Sequence, residues 1–215
     1  MKRGKKMSKS PVRLKDGIIK QNIVLMSGLF AGPVIGAATT WERSLALCFV
    51  FSLVTILSLG ICRALPKKIT FAVRIVLYAL AATLVYIPVM LLAGLIFPPD
   101  LLTSIELYLI LTVTNPLILS KTESRFFLRP FHLMYKDAAG FVLGFDLSCL
   151  LVGSLRDILT DNMIANNIIK INMQIPAMDR MYCGFILVGI LAGLFRFIYT
   201  RTNKKRQRAA SKKAG

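Results

Sequence analysis

Apolar, uncharged stretches alternate with short charged ones along the chain. They run from Gln21 to Trp41, Ser44 to Cys62, Ile75 to Pro99, Leu107 to Ser120, Ala138 to Leu155 (interrupted only by Asp146) and Met181 to Phe195. Three of them reach the ~20 residues that carry a helix across ~30 Å of hydrocarbon, and the others come close once their polar flanks are counted. The pattern predicts six membrane-spanning helices, roughly 23–40, 44–63, 72–97, 101–120, 137–155 and 181–200, in one all-α membrane domain over 21–200. Basic tails occupy 1–20 and 201–215. The connection from Thr160 to Asp179 is rich in Asn and Ile, and its length suggests a short amphipathic helix on the outer surface.

Composition sharpens this picture. With 55% hydrophobic residues and 18% charged ones, the chain does not read as a soluble enzyme. Lys and Arg total 28 against 10 Asp and Glu, a formal charge of +18, and they are segregated. One side of the membrane receives 24 of them, in both tails and in the connections after the second and fourth spans. The other side receives four: Arg43, Arg156, Lys170 and Arg180. The positive-inside rule then puts both termini in the cytoplasm, which requires an even number of spans and agrees with the hydropathy.

The basic tails need no nucleic-acid partner. Positive charge beside a span already interacts with anionic headgroups by ~1 kcal/mol per residue, and no stacking aromatics are interleaved. His132, the one histidine, is expected in a solvated cytoplasmic loop. Cys48, Cys62, Cys149 and Cys183 show no CxxC or zinc spacing and read as buried thiols. The 20-residue charged start and the early Gly32-Pro33 argue against a cleaved signal. No P-loop, GxGxxG, HExxH or GxSxG is present, so no catalytic residue is assigned.

The spans divide at Phe97-Pro98-Pro99-Asp100 into two triplets, about 21–97 and 101–200. An odd number per half forces opposite insertion, the arithmetic of an inverted repeat. The first span of each half carries helix breakers: Gly28, Gly32, Pro33 and Gly36 in one, Asn115 and Pro116 in the other. Unwound backbone at bilayer depth must be satisfied by protein or a water-lined cavity, so Gly32, Pro33, Asn115 and Pro116 are expected to face inward around a midplane site. Asp146 costs ~2.5–3.5 kcal/mol near the middle of a span and is read as a candidate ion or proton way-station, or a structural residue held by Ser148, Thr114 or Asn115. Gly140, Gly144 and Gly153 are expected to let helices pack closely.

These residues resemble the six-span membrane subunits of the Rnf and sodium-pumping Nqr electron-transport complexes, in particular the RnfE/NqrD branch. The resemblance rests on Asp16-Gly17-Ile18-Ile19-Lys20-Gln21-Asn22 with Pro33 beyond it, on Asn115-Pro116-Leu117-Ile118-Leu119, and on Gly140 to Phe145 followed by Gly153 to Leu159; it covers about 14–200. It implies a bacterial inner-membrane complex coupling electron transfer between NADH and ferredoxin or quinone to sodium or proton movement. It further implies pairing with an inverted six-span paralogue around an iron-sulfur cluster, each break supplying one cysteine. At the two cysteine positions this chain has Gly32 and Pro116, so no cluster, no cofactor and no metal is expected at the usual place. A metal site displaced to Cys48 and Cys149, at comparable depths, is the alternative. The chain therefore reads as a non-catalytic subunit of an Rnf/Nqr-like complex, the second reading being a stand-alone inverted-repeat transporter for a small solute or ion.

Overall fold

The computed structural model describes residues 22–28, 30–66, 69–124, 130–161, 163–164, 167–168 and 175–214, so the N-terminal tail lies outside the described residues. Among the described residues four helices are long and apolar enough to cross a membrane: α2 (Trp41–Ala64), α3 (Phe71–Ile96), α7 (Phe131–Asp161) and α8 (Met181–Ala214). They correspond to the second, third, fifth and sixth predicted spans. Thr40 caps α2, its hydroxyl accepting from Arg43 N–H at 3.3 Å, and Leu65 leaves the helix in extended conformation ahead of Pro66.

The other two predicted spans are broken. In the first, residues 23–27 form a turn, Gly28 and Phe30 both take left-handed backbone at φ 66° and 61°, and only then does the seven-residue α1 (Ala31–Ala37) begin. Gly28 reaches that region without Cβ strain. Pro33 stands in the first turn of α1, where its missing N–H would be unpaired anyway. In the fourth span, α4 (Pro99–Ser104), α5 (Glu106–Leu111) and a 3₁₀ turn (Thr112–Thr114) end at Asn115, which is extended at ψ 148°. A π-helical turn (Leu117–Lys121) and the short α6 (Thr122–Ser124) follow.

Helices α2 and α7 form the centre, each 56% buried over its apolar window, whereas α8 is 11% buried and lies at the edge. They run antiparallel. Trp41 backbone N–H donates to Asp157 Oδ2 at 3.1 Å, the Phe51 and Phe145 rings stack at 3.8 Å, Ser52 bonds Asp146, and Arg63 reaches Met134 Sδ at 3.6 Å, so the start of α2 meets the end of α7 and its end meets the start. Gly153 lets the backbones meet: a Cβ there would fall 1.8 Å from Ser44 Oγ. Gly36 does the same for the Tyr108 ring, which a Cβ would meet at 2.1 Å, seating α1 on α5.

Three local expectations change. His132 falls in the first turn of α7 rather than in a loop. The segment after α7 forms, where described, a two-residue antiparallel ladder of β1 (Met163–Ile164) with β2 (Asn167–Ile168) and a 3₁₀ turn (Pro176–Asp179), not an amphipathic helix. From residue 201 the basic tail continues α8 to Ala214, because Lys, Arg, Gln and Ala are good helix formers and no breaker intervenes.

Candidate functional site

The two interruptions are held in the same way. Asn115 is fully buried; its Oδ1 accepts from the N–H groups of Leu117 and Ile118 at 3.0 Å each, and its Nδ2 donates to Thr55 Oγ1 of α2 at 3.0 Å and to Thr112 O at 2.8 Å. Asn22 is also buried; its Oδ1 accepts from Val24 and Leu25 N–H at 2.9 Å each, and its Nδ2 donates to Ser148 Oγ and Gly144 O of α7 at 2.8 Å. Each asparagine thus caps the turn two and three residues on and anchors it to a long central helix, α7 for Asn22 and α2 for Asn115. The side-chain amide satisfies backbone donors that lipid could not.

A sequence signal for this pairing exists, although hydropathy does not register it. Asn22 and Asn115, Thr55 and Ser148, Gly60 and Gly153, and Arg63 and Arg156 are each 93 positions apart. The two Gly-x-x-Arg segments, Gly60-Ile61-Cys62-Arg63 and Gly153-Ser154-Leu155-Arg156, lie toward the C-terminal ends of α2 and α7 respectively.

Arg156, counted by charge among the loop residues, is the largest fully buried side chain among the described residues. Its Nη1 donates to Ile35 O at 2.6 Å and Ala38 O at 3.4 Å, closing the C-terminal end of α1, while Nε and Nη2 donate to Met178 O and Asp179 O at 3.0 Å each. A guanidinium among carbonyls at a helix C-terminus is favoured both by hydrogen bonding and by the helix dipole. This residue fixes the direction in which the short helix of the first break points. At the opposite end of the seam, Arg63 lies 5.7 Å from the Phe131 ring centre.

The predicted site residues are not all alike. Gly32 is exposed, with nothing within 4 Å of where a Cβ would stand, whereas Pro33 and Asn115 are buried and Pro116 is half-buried. Phe30 at the first break packs 5.6 Å from Phe51 and 5.7 Å from Phe145, so rings fill the space beside it. Phe51 and Thr55, the α2 contacts of the two breaks, are one helical turn apart. Asp146 is half-buried in α7; its Oδ2 accepts from Ser52 Oγ at 2.8 Å, and its Oδ1 is buried without a hydrogen-bond partner among the described residues. The anticipated partners Ser148 and Asn115 instead serve the two caps, because both lie toward the broken segments rather than toward Ser52.

An iron-sulfur cluster of the kind the resemblance implies does not fit the break residues. Neither Gly32 nor Pro116 offers a thiolate.

Comparison with known proteins finds relatives over most of the chain. One subunit of the Na(+)-translocating ferredoxin:NAD(+) oxidoreductase complex of Acetobacterium woodii is 30% identical over 147 residues, covering 68% of this chain and 74% of that one. One subunit of the ion-translocating oxidoreductase complex of Sodalis glossinidius is 28% identical over 146 residues, covering 68% of this chain and 62% of its own length. The subunit of the same description in Yersinia pseudotuberculosis is 28% identical over 155 residues, 71% of this chain and 65% of that one. The family model described as Rnf-Nqr subunit, membrane protein, matches residues 12–199, and the chain belongs to that family.

Proposed function

We propose that this chain is a membrane subunit of a bacterial ion-translocating electron-transport complex of the Rnf/Nqr kind, built as two oppositely inserted three-span halves with both termini in the cytoplasm, and carrying no iron-sulfur cluster of its own. The observation that carries this reading is the family match over nearly the whole chain, together with relatives named as subunits of ion-translocating oxidoreductase complexes. The inverted repeat is supported by the four residue pairs at a constant 93-position offset and by the antiparallel seam of α2 on α7. The uneven distribution of Lys and Arg supports the orientation.

In this reading the partner is an inverted six-span paralogue together with other membrane subunits. The sparsely buried faces of α3 and α8 leave room for them and for lipid. Gly32 and Pro116 remove the thiols, so the two breaks hold shape without redox chemistry, while Asp146, with its orphaned Oδ1 and its Ser52 contact, is the ion or proton way-station.

The test is copurification. Solubilised in a mild detergent from its native membrane, the tagged chain is expected to bring down flavin-binding, iron-sulfur and further six-span subunits. Recovery as a lone monomer that moves a solute in proteoliposomes without a redox partner would replace this reading with that of a stand-alone transporter.

A further inference from the structure

One turn along the α2–α7 seam from the contact of Ser44 with Gly153, Cys48 and Cys149 stand at the same level on the two antiparallel helices. Each also crosses to the opposite backbone: Cys48 Sγ donates to Asp146 O of α7 at 3.6 Å, and Cys149 Sγ donates to Ser44 O of α2 at 3.9 Å. Both are buried. No third ligating side chain among the described residues completes a metal group with them. Two sulfurs at one level of a close helix seam suit a covalent bond to each other. A disulfide asks for Cα atoms ~4.4–6.8 Å apart, a spacing that facing helices reach where small residues let their backbones close in, as Ser44 and Gly153 do here.

We propose that Cys48 and Cys149 form a reversible dithiol–disulfide couple that, when oxidised, ties the central helix of one half to that of the other. Two S–H bonds break and one S–S bond forms. The two electrons and two protons pass to a two-electron acceptor soluble in the surrounding lipid, a quinone, which becomes the hydroquinone. Cys48, 7% exposed against 0% for Cys149, is the thiol that meets the acceptor. Oxidation cancels both thiol-to-carbonyl hydrogen bonds and locks the seam beside Asp146. Cys62 and Cys183 lie elsewhere on α2 and α8 and take no part. None of this depends on membership of a larger complex.

The full-length chain, purified anaerobically and reconstituted in lipid, is incubated with a ubiquinone analogue whose ring is fully substituted and so cannot arylate thiols. It is then denatured, alkylated and mapped by mass spectrometry. The expected result is a Cys48–Cys149 cross-link that goes from absent to predominant, one hydroquinone formed per cross-link, and reversal by a phosphine. Cys48→Ala and Cys149→Ala each abolish hydroquinone formation, whereas Cys62→Ala and Cys183→Ala leave it unchanged. The wild-type measurement decides even where a variant fails to fold. Both thiols remaining open to alkylation after exposure to the quinone, a bond to Cys62 or Cys183 instead, or stoichiometric zinc or iron held by the pair would each overturn the proposal.

Discussion

Replacing Arg156 with methionine, which keeps the length of the side chain and removes every donor, tests how the first break is held. The native guanidinium makes four hydrogen bonds to carbonyls of two separate segments, Ile35 and Ala38 at the end of α1 and Met178 and Asp179 in the 3₁₀ turn. At ~1.5–3 kcal/mol for each bond from a charged donor the gross loss is roughly 6–12 kcal/mol, but the variant also escapes the cost of burying the charge. The net expectation is ~3–5 kcal/mol, in line with breaking other buried ionic contacts. At roughly 2–4 °C per kcal/mol for a chain of this size, the thermal midpoint in detergent falls by about 10 °C. Trp41, the single tryptophan, reports locally, since its backbone N–H bonds Asp157 next to Arg156. Amide exchange over 31–41 should also rise, because α1 loses its C-terminal partner. Arg156→Lys retains charge but cannot fork across both segments, and falls between wild type and methionine. A midpoint within about 2 °C of wild type, with unchanged exchange over 31–41, would refute the idea that Arg156 holds the short helix.

Asn22→Ala and Asn115→Ala each remove a side-chain cap on two backbone N–H groups and a tether to a central helix, and each should cost ~2–3 kcal/mol in reversible unfolding; comparable losses at the two positions are the signature of equivalent roles. Gly153→Ala drives a methyl group into Ser44 and should cost ~1–3 kcal/mol, with Ser44→Gly in the same chain recovering most of it in a double-mutant cycle. Asp146→Asn keeps an acceptor for Ser52 Oγ and removes the charge; unfolding should change by less than ~1 kcal/mol, while ion translocation by the assembled complex, measured in vesicles, falls to background.

Hydropathy alone located the four long helices, because an uninterrupted apolar run has one solution in lipid. Asn115-Pro116 announced the second break directly: the proline disfavours helix at the residue before it, and Asn115 is extended. The first break was harder to place. Gly32 and Pro33 suggested it, yet proline in the first turn of a helix starts α1 rather than ending it, and the bend falls upstream at Gly28 and Phe30. The tethers were not visible locally, since Asn22 reads as an ordinary flank until the residue 93 positions on is compared with it. Arg156 was misjudged for a related reason: charge counting treats every arginine near a span end as solvated, whereas this one is buried among carbonyls that only the folded chain assembles.

The central claim is that two equivalent triplets cross the membrane in opposite senses, and one mapping experiment addresses it. Single cysteines are introduced into a cysteine-free variant at each connection and at both ends, then labelled with a membrane-impermeant maleimide in intact and in permeabilised cells. The account predicts protection in intact cells at both termini, between α2 and α3 and before α7, with labelling between α1 and α2, between α3 and α4, and between α7 and α8. Termini on opposite sides, or α2 and α7 inserted in the same direction, would contradict it.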